Sequence, residues 1–336
     1  MPGMLNLVEI DLTLAAMLDE QLEDVELILQ RQVASDLSAV NALCCHIEQY
    51  GGKRIRPMLV LLSGLAAGPP PWDGSALGEK HRVIAAVVEM IHLATLVHDD
   101  VLDEARIRRR VATVNHLRGN ETAVILGDYL ISNAFHLCSS LKDPTINLSL
   151  GEVTNTLCEG ELLQLHHRDD CDLDEQTYLE IARRKTASLI GECCRLGAML
   201  SDHDGSGSIC RSMRSFGFQL GVAFQIQDDL LDITGDESIV GKSLGKDLDS
   251  GNVTLPLIRY LASANPADRS TTLRQFAQRN AEQLRIRLME SGAVRNAQRE
   301  ARYLVEHAKA ELSCLVASPA RDLLAALAEA VISRRF

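Results

Sequence analysis

Apolar residues recur along most of the chain at spacings of three and four, the period of a helix that buries one face. Leu14, Leu18, Leu22, Val25 and Leu29 share such a face and predict a first helix. Gly51-Gly52 breaks the next one, and Pro57 stands where a new helix can start. Gly68-Pro69-Pro70-Pro71 reads as a loop. Val83 to Asp103 then reads as a long apolar helix that turns acidic at its C-terminal end. Further helices are predicted over Thr122 to Leu141, stopped near Asp143-Pro144, over Leu150 to Leu165, and over Asp174 to Met199 with Asp174 as N-cap. Ser201 to Ser208 is a polar loop, Arg211 to Ile233 is a second apolar helix ending in carboxylates, and Gly235 to Gly251 is a Gly/Asp/Lys-rich loop. From Thr254 to Arg335 the pattern is helical, with a break near Ala264 to Asp268. No shift in composition marks a boundary. The expectation is an all-α fold: one large antiparallel helical bundle in a single domain over residues 1–336, with an N-terminal helix in 1–34 and a core over 35–336.

Composition supports this. Aromatic residues make up 4% of the chain and there are only 9 prolines, a poor fit to aromatic-rich strands. The net charge of −12 argues against a nucleic-acid binder. Met1 to Leu12 lacks the basic start and apolar core of a signal peptide, and Val83 to Val97 is too short to span a bilayer and contains Glu89 and His92. The 9 cysteines include no C-x-x-C spacing and two adjacent pairs, Cys44-Cys45 and Cys193-Cys194. Reduced thiols in a cytoplasmic protein are the reading.

Charge chemistry concentrates in two segments, His98-Asp99-Asp100-Val101-Leu102-Asp103 and Gln225-Ile226-Gln227-Asp228-Asp229-Leu230-Leu231-Asp232. Both read Asp-Asp-x-x-Asp at the end of an apolar helix. Residues four apart share a helix face, so Asp99 projects with Asp103 and Asp228 with Asp232. Carboxylates at a helix C-terminus oppose the helix dipole and one another, and a divalent cation offsets both. Mg²⁺ suits such a site, since it takes one or two carboxylates, waters and substrate phosphates. A solvated acidic helix end would explain one such motif; two copies argue for a metal–phosphate site.

A polyanionic substrate would also need cations. Gly51-Gly52-Lys53-Arg54-Ile55-Arg56-Pro57 puts Lys53 and Arg56 three apart in a frame that permits close backbone approach. Arg106, Arg108, Arg109 and Arg110 follow the first acidic motif, and Lys185-Thr186 and Gly241-Lys242 add two more cations. Arg clamps phosphate in bidentate fashion, and Lys supplies a point charge. Arg54 and Arg106 read as ordinary surface cations.

With these motifs in order, the chain resembles the trans-isoprenyl (polyprenyl) diphosphate synthases, from about Ser35 to the C-terminus, and most of all their hepta- and octaprenyl members. The matching segments are GGKRIRP (51–57), HDDVLD (98–103) with RR (108–109), GDYL (127–130), GELLQ (160–164), KT (185–186), FQIQDDLLD (224–232), GKSLGKD (241–247) and GNVTLP (251–256). The resemblance implies an isoprenoid-synthase bundle around a central apolar cavity. It implies a prenyltransferase that joins isopentenyl diphosphate head-to-tail to an allylic diphosphate. It implies Mg²⁺, three ions with substrate bound, held by Asp99, Asp103 and Asp228, with Asp100, Asp229 and Asp232 in support. Arg108, Lys185, Thr186 and Lys242 would hold the allylic diphosphate. Lys53, Arg56, His92 and Arg109 would hold that of isopentenyl diphosphate, and Gln225 matches a position near the reacting carbons. A homodimer, no nucleic-acid partner and transient membrane contact during product release complete the expectation. No general base is evident; in this family the released diphosphate is thought to take the proton. Two departures stand out. Where the family has Gly and, two further on, Pro, this chain has Arg110 and Ala112; where many members have Gly-Lys-x-Thr, it has Gly251-Asn252-Val253-Thr254. His98 reads as a hydrogen-bonding neighbour rather than a metal ligand.

Product length is read on the helix before Asp99. Short-chain members close the floor there with an aromatic ring, whereas this chain has Ala94 and Thr95. One helical turn advances about 5.4 Å, close to one isoprene unit. The next floor candidates are Ile91, Met90 and Val87, with Ile125 and Leu126 from the following helix. The expectation is a heptaprenyl to decaprenyl product; the alternative is a short-chain geranylgeranyl or farnesyl synthase. A class I terpene cyclase would normally replace the second Asp motif and need no Lys53/Arg56 site. A non-catalytic subunit of a heteromeric synthase would typically lose an Asp motif. A di-metal carboxylate bundle would need two Glu-x-x-His pairs, and Glu89 with His92 supplies one.

Overall fold

The computed structural model describes residues 12–201, 207–235 and 245–333. They are almost entirely helical, as the periodicity predicts, and they fall into two compact units.

The first unit comprises Met1–Thr154, Glu192–Ser215 and Glu311–Leu327. It holds α1 (Leu12–Val33), α2 (Ser38–Glu48), α3 (Ile55–Ala67), α4 (Glu79–Leu102), a two-strand hairpin of β1 (Ile107–Arg108) and β2 (Val111–Ala112), α5 (Val114–Arg118) and α6 (Asn120–Ser140). It also takes the start of α7 (Pro144–His166), the end of α9 (Ser188–Ser201) and the start of α10 (Ser208–Thr234). α4 is apolar on most sides from Val83 to Val97, broken by Glu89, His92 and Thr95, and is largely buried there, with α3 and α6 packed along it. Each such Val, Leu or Ile contributes about 1.5–3 kcal/mol when fully buried. Small residues set the closest approaches. A Cβ on Gly197 of α9 would lie 2.2 Å from the Val60 carbonyl oxygen of α3. One on Gly127 of α6 would overlap the His98 ring beside the first acidic motif.

The helical pattern leaves out the hairpin. Its strands are two residues each, too short for alternation to register. Arg108 pairs with Val111 across a two-residue loop in which both Arg109 and Arg110 have positive φ, 50° and 70°. That is the backbone of a type I′ turn, which glycine occupies without strain. The family's glycine at position 110 thus has a conformational reason, and Arg110 adopts the same turn against the preference of its Cβ.

The second unit comprises Asn155–Gly191, Phe216–Ala310 and Ala328–Phe336. It contains the rest of α7, α8 (Glu175–Ala182) and most of α10. Then come the one-turn α11 (Lys246–Asp249), α12 (Leu255–Ser263), α13 (Pro266–Ala277), α14 (Ala281–Ser291), nearly all of α15 (Ala293–Glu311) and the end of α16 (Pro319–Ser333). Its core gathers Tyr178, Val222, Ile226, Leu230, Leu255 and Leu257. Asp174 caps α8 as expected, accepting from the Thr177 amide at 2.7 Å. The helix expected to run unbroken to Met199 instead opens into a π turn at Arg183–Ala187. Two glycines let neighbouring helices pack closely against it. A Cβ on Gly160 of α7 would lie 2.6 Å from the Lys185 nitrogen, and one on Gly221 of α10 would lie 2.5 Å from the Ala187 Cα. The expected break after α12 is present, with Asn265 capping α13 through the amides of Ala267 and Asp268. Asn280 and Gly292 start and stop α14.

Candidate active site

In the first unit the acidic end of α4 divides by exposure. Asp99 is half-buried, and Asp103, just past the last turn, is exposed and donates its amide to the Asp99 carbonyl at 2.8 Å. Asp100 turns inward at 1% exposure. Its Oδ1 accepts from Arg108 Nε at 2.7 Å, while its Oδ2 has no hydrogen-bond partner. Burial pushes the Asp100 carboxyl up, and Arg108 opposes that shift. Asp99 and Asp103 are therefore left as the outward pair, and Asp100 supports them from behind. His98 lies 3.2 Å from the Val124 carbonyl and 3.6 Å from Asp128, in keeping with a neighbouring role.

Two cationic motifs far apart in sequence meet in this unit. The Arg109 guanidinium donates to the carbonyls of Gly51 and, at 3.4 Å, Tyr50. A Cβ on Gly52 would lie 2.6 Å from its Nη1, so the glycines permit the contact. The Tyr50 hydroxyl accepts from the Val114 amide at 3.1 Å, and His46 Nε2 lies 2.7 Å from the Ala112 carbonyl, docking the hairpin on the same segment. Arg56 carries a buried Nε without a hydrogen-bond partner. Burial, then the charges of Arg56, Arg109, Arg108 and Arg54, hold the His92 ring well below its ordinary range, so it is neutral near pH 7. Lys53 is half-buried on the same loop.

Arg54 departs from its reading as a surface cation. It is half-buried, begins α3 with a left-handed backbone at φ 47°, and donates to Glu89 Oε1 at 2.7 Å and to Glu26 Oε2 at 3.1 Å. Glu89, which with His92 had the spacing of a metal pair, is instead a partner for this arginine.

On α4, Ala94, Ile91, Met90 and Val87 are fully buried, and Thr95 donates its hydroxyl to the His92 carbonyl at 2.8 Å. Leu126 is buried, but Ile125 is 67% exposed and forms no floor. The buried face of α6 is Ala123, Leu126, Gly127 and Leu130, and Ile125 lies off it.

In the second unit the π turn presents Lys185, whose Nζ lies 2.7 Å from Glu161 Oε1 of α7. Thr186 Oγ1 donates to Gln225 Oε1 at 2.7 Å, and Gln225 Nε2 donates to Asp229 Oδ1 at 2.8 Å. Asp228 is exposed, Asp229 is buried, and Asp232 accepts from the amides of Lys246 and Asp247 at 3.2 and 3.1 Å. Burial pushes Asp229 up to about 7, against the hydrogen bonds of Tyr178 and Gln225 and with the repulsion of Asp228 and Asp232. Lys242 lies outside the described residues.

No site role is read from sequence for Glu26, Glu89 or Tyr178, nor for Glu161 and Asp247, although these two lie within the GELLQ and GKSLGKD segments. Asp247 is a fourth carboxylate of the second group, pushed well up by burial and by Asp229, Asp232 and Asp228, and it is hydrogen-bonded by the Asn252 side chain. At position 252, where many family members have lysine, the Asn252 side chain serves this acid.

The donors in both acidic groups are carboxylate oxygens, the chemistry of a hard divalent cation. Among the described residues, no group of three or more His, Cys, Asp or Glu is arranged to hold a metal ion by itself. No helix among the described residues is long and apolar enough to cross a membrane.

Repeated acidic helix ends, unpartnered buried arginine and an all-helical frame define an isoprenoid-synthase class of protein. Residues 38–289 match the polyprenyl synthetase family, and the chain belongs to that family. It is 37% identical over 323 residues to a prenyl transferase of Synechocystis, covering 96% of this chain and 98% of that one. It is 33% identical over 319 residues to the octaprenyl diphosphate synthase of Escherichia coli, covering 94% and 96%. The crystal structure of a Caulobacter crescentus polyprenyl synthase complexed with calcium and isoprenyl diphosphate superposes with a TM-score of 0.89 at 30% identity, covering 96% of this chain and 98% of that one. The chain is a prenyltransferase of polyprenyl diphosphate synthesis.

Proposed function

We propose that this enzyme condenses isopentenyl diphosphate head-to-tail with an allylic diphosphate and makes a trans polyprenyl diphosphate of heptaprenyl to decaprenyl length. The observation that carries the diphosphate reading is Arg56. A buried donor without an acceptor costs about 1–3 kcal/mol, and a bound anion removes that cost. Lys53, Arg56, His92 and Arg109 are assigned to isopentenyl diphosphate. Neutral His92 serves as a hydrogen-bonding group there without adding to the charge of its arginine neighbours. Arg108, Lys185, Thr186 and Lys242 are assigned to the allylic diphosphate, and Asp99, Asp103 and Asp228 to Mg²⁺, with Asp100, Asp229 and Asp232 behind them. Mg²⁺ supplies neutralisation of the leaving diphosphate as the C–O bond breaks. The lysines and arginines hold both diphosphates in place for attack, and the apolar flank of α4 keeps water from the allylic cation. Gln225 stands near the reacting carbons. The proton lost in the last step goes to the released diphosphate.

Two observations support the length. Ala94 is small and fully buried, and the next turns offer only Ile91, Met90 and Val87. The E. coli relative is an octaprenyl synthase, and the Caulobacter relative binds a hard divalent cation with an isoprenyl diphosphate. The proposal includes one catalytic domain, a cytoplasmic homodimer and brief membrane contact as product leaves. Incubation with farnesyl diphosphate, labelled isopentenyl diphosphate and Mg²⁺, followed by product chromatography, tests it. Heptaprenyl or longer products are expected. A dominant product no longer than geranylgeranyl overturns the length, and an absence of Mg²⁺-dependent turnover overturns the reaction.

A further inference from the structure

Tyr178 belongs to none of the motifs, yet it touches the second acidic group directly. Its ring is buried at 6% exposure on α8, seven residues before Lys185. Its hydroxyl donates to Asp229 Oδ2 at 2.5 Å. The other oxygen of the same carboxylate accepts from Gln225, which itself accepts from Thr186. The row Thr186, Gln225, Asp229, Tyr178 is matched donor to acceptor at each link. It closes a loop, because its two ends lie on one rod of chain, Tyr178 on α8 and Thr186 beside Lys185 within the π turn.

We propose that Tyr178 is a positioning residue of the allylic-diphosphate site. It anchors Asp229 so that this carboxylate orients its neighbours instead of coordinating metal. The inference rests on the assignment of Asp228 and Lys185 above and adds one residue to that site. Both oxygens of Asp229 are committed to buried hydrogen bonds, and an O–H···O⁻ contact of this length is at the strong end of its class. Asp228 precedes Asp229 and is exposed, and Asp232 follows one turn later on the face of Asp228. Fixing Asp229 therefore fixes the rotation of α10 at which those two carboxylates project. Through Gln225 and Thr186 the same row sets the distance from that helix face to Lys185. A tyrosine that merely filled the core would be replaced by phenylalanine without consequence.

The test is Tyr178→Phe in the full chain, which keeps the ring and removes the hydroxyl. Mn²⁺ is the probe, titrated by electron paramagnetic resonance in the presence of a non-ionisable thio analogue of farnesyl diphosphate. Mn²⁺ binding is expected to weaken about tenfold, the size of one lost hydrogen bond to a charged group. The KM for the allylic substrate should rise by a similar factor, with the KM for isopentenyl diphosphate changed by less than about twofold. Tyr178→Met, which keeps apolar bulk and also lacks the hydroxyl, should weaken Mn²⁺ binding in the same direction and carries the test if Tyr178→Phe fails to fold. Unchanged Mn²⁺ affinity and unchanged allylic KM in a variant, beside a wild type that binds, overturn the inference alone. A wild type that binds no Mn²⁺ overturns the metal assignment and this inference with it.

Discussion

Arg108 on β1 donates its Nε to the buried Oδ1 of Asp100 at 2.7 Å, tying the hairpin to the acidic end of α4. The second Asp of the motif is therefore committed inside the protein, while Asp99 and Asp103 project outward. Asp100→Ala should cost about 3–5 kcal/mol of stability, because it leaves a largely buried arginine uncompensated. Asp99→Ala should abolish turnover with the denaturation midpoint held or raised. Urea denaturation with activity assays separates them, and equal stability loss in both variants would contradict the division.

Arg110→Gly should stabilise the protein. The second position of the loop has φ 70°, a conformation that costs a residue with Cβ about 1–2 kcal/mol. Part of that gain is offset by the greater freedom of glycine in the unfolded chain. A rise in Tm with activity retained is expected; a fall would mean that the Arg110 side chain holds the loop.

His81 should make stability depend on acid pH. Its buried ring sits 2.9 Å from Ser201 Oγ and accepts from the Gly78 amide at 3.2 Å. Burial, the largest cause, lowers its pKa from 6.5 to about 4. Above pH 6.5 the ring is neutral in both states and costs nothing. As pH falls through 6.5 the unfolded chain takes up a proton that the folded ring refuses, so stability is lost progressively down to about pH 4. The full loss is about 3 kcal/mol. Comparing the pH dependence of the urea midpoint in wild type and His81→Gln isolates it; parallel curves between pH 6.5 and 4.5 would remove His81 as the cause.

Ala94→Phe should shorten the product by several isoprene units with ionisation of the allylic substrate retained. The residue is fully buried one turn before the acidic end of α4, so a ring there has no route to solvent. Chromatography of the dephosphorylated products reads the result. An unchanged length distribution would take this position out of the floor.

The helices and both acidic motifs are legible in the sequence because period and spacing are local properties. Asp174, Asn265 and the glycine pair at 51–52 announce their turns in the same way. What stays hidden is pairing between distant segments. Glu26 and Glu89 meet Arg54 from 28 and 35 residues away, and no local pattern marks either as its partner. The π turn is equally silent, since the close approaches around it involve Gly160 and Gly221 on other helices. One usable signal went unread. In a chain with only 4% aromatic residues, a tyrosine on the apolar face of a helix needs a buried partner for its hydroxyl.

The π turn has a consequence for how this protein can change length. Each residue added to or removed from an α-helix rotates everything beyond it by about 100°. The stretch from Tyr178 to Thr186 runs from α8 into the π turn at Arg183–Ala187, and its two ends address the same row of side chains on α10. A single insertion or deletion there would swing the tyrosine or the threonine off that row while leaving a good helix behind. This segment is a gauge whose residue count is itself a functional dimension.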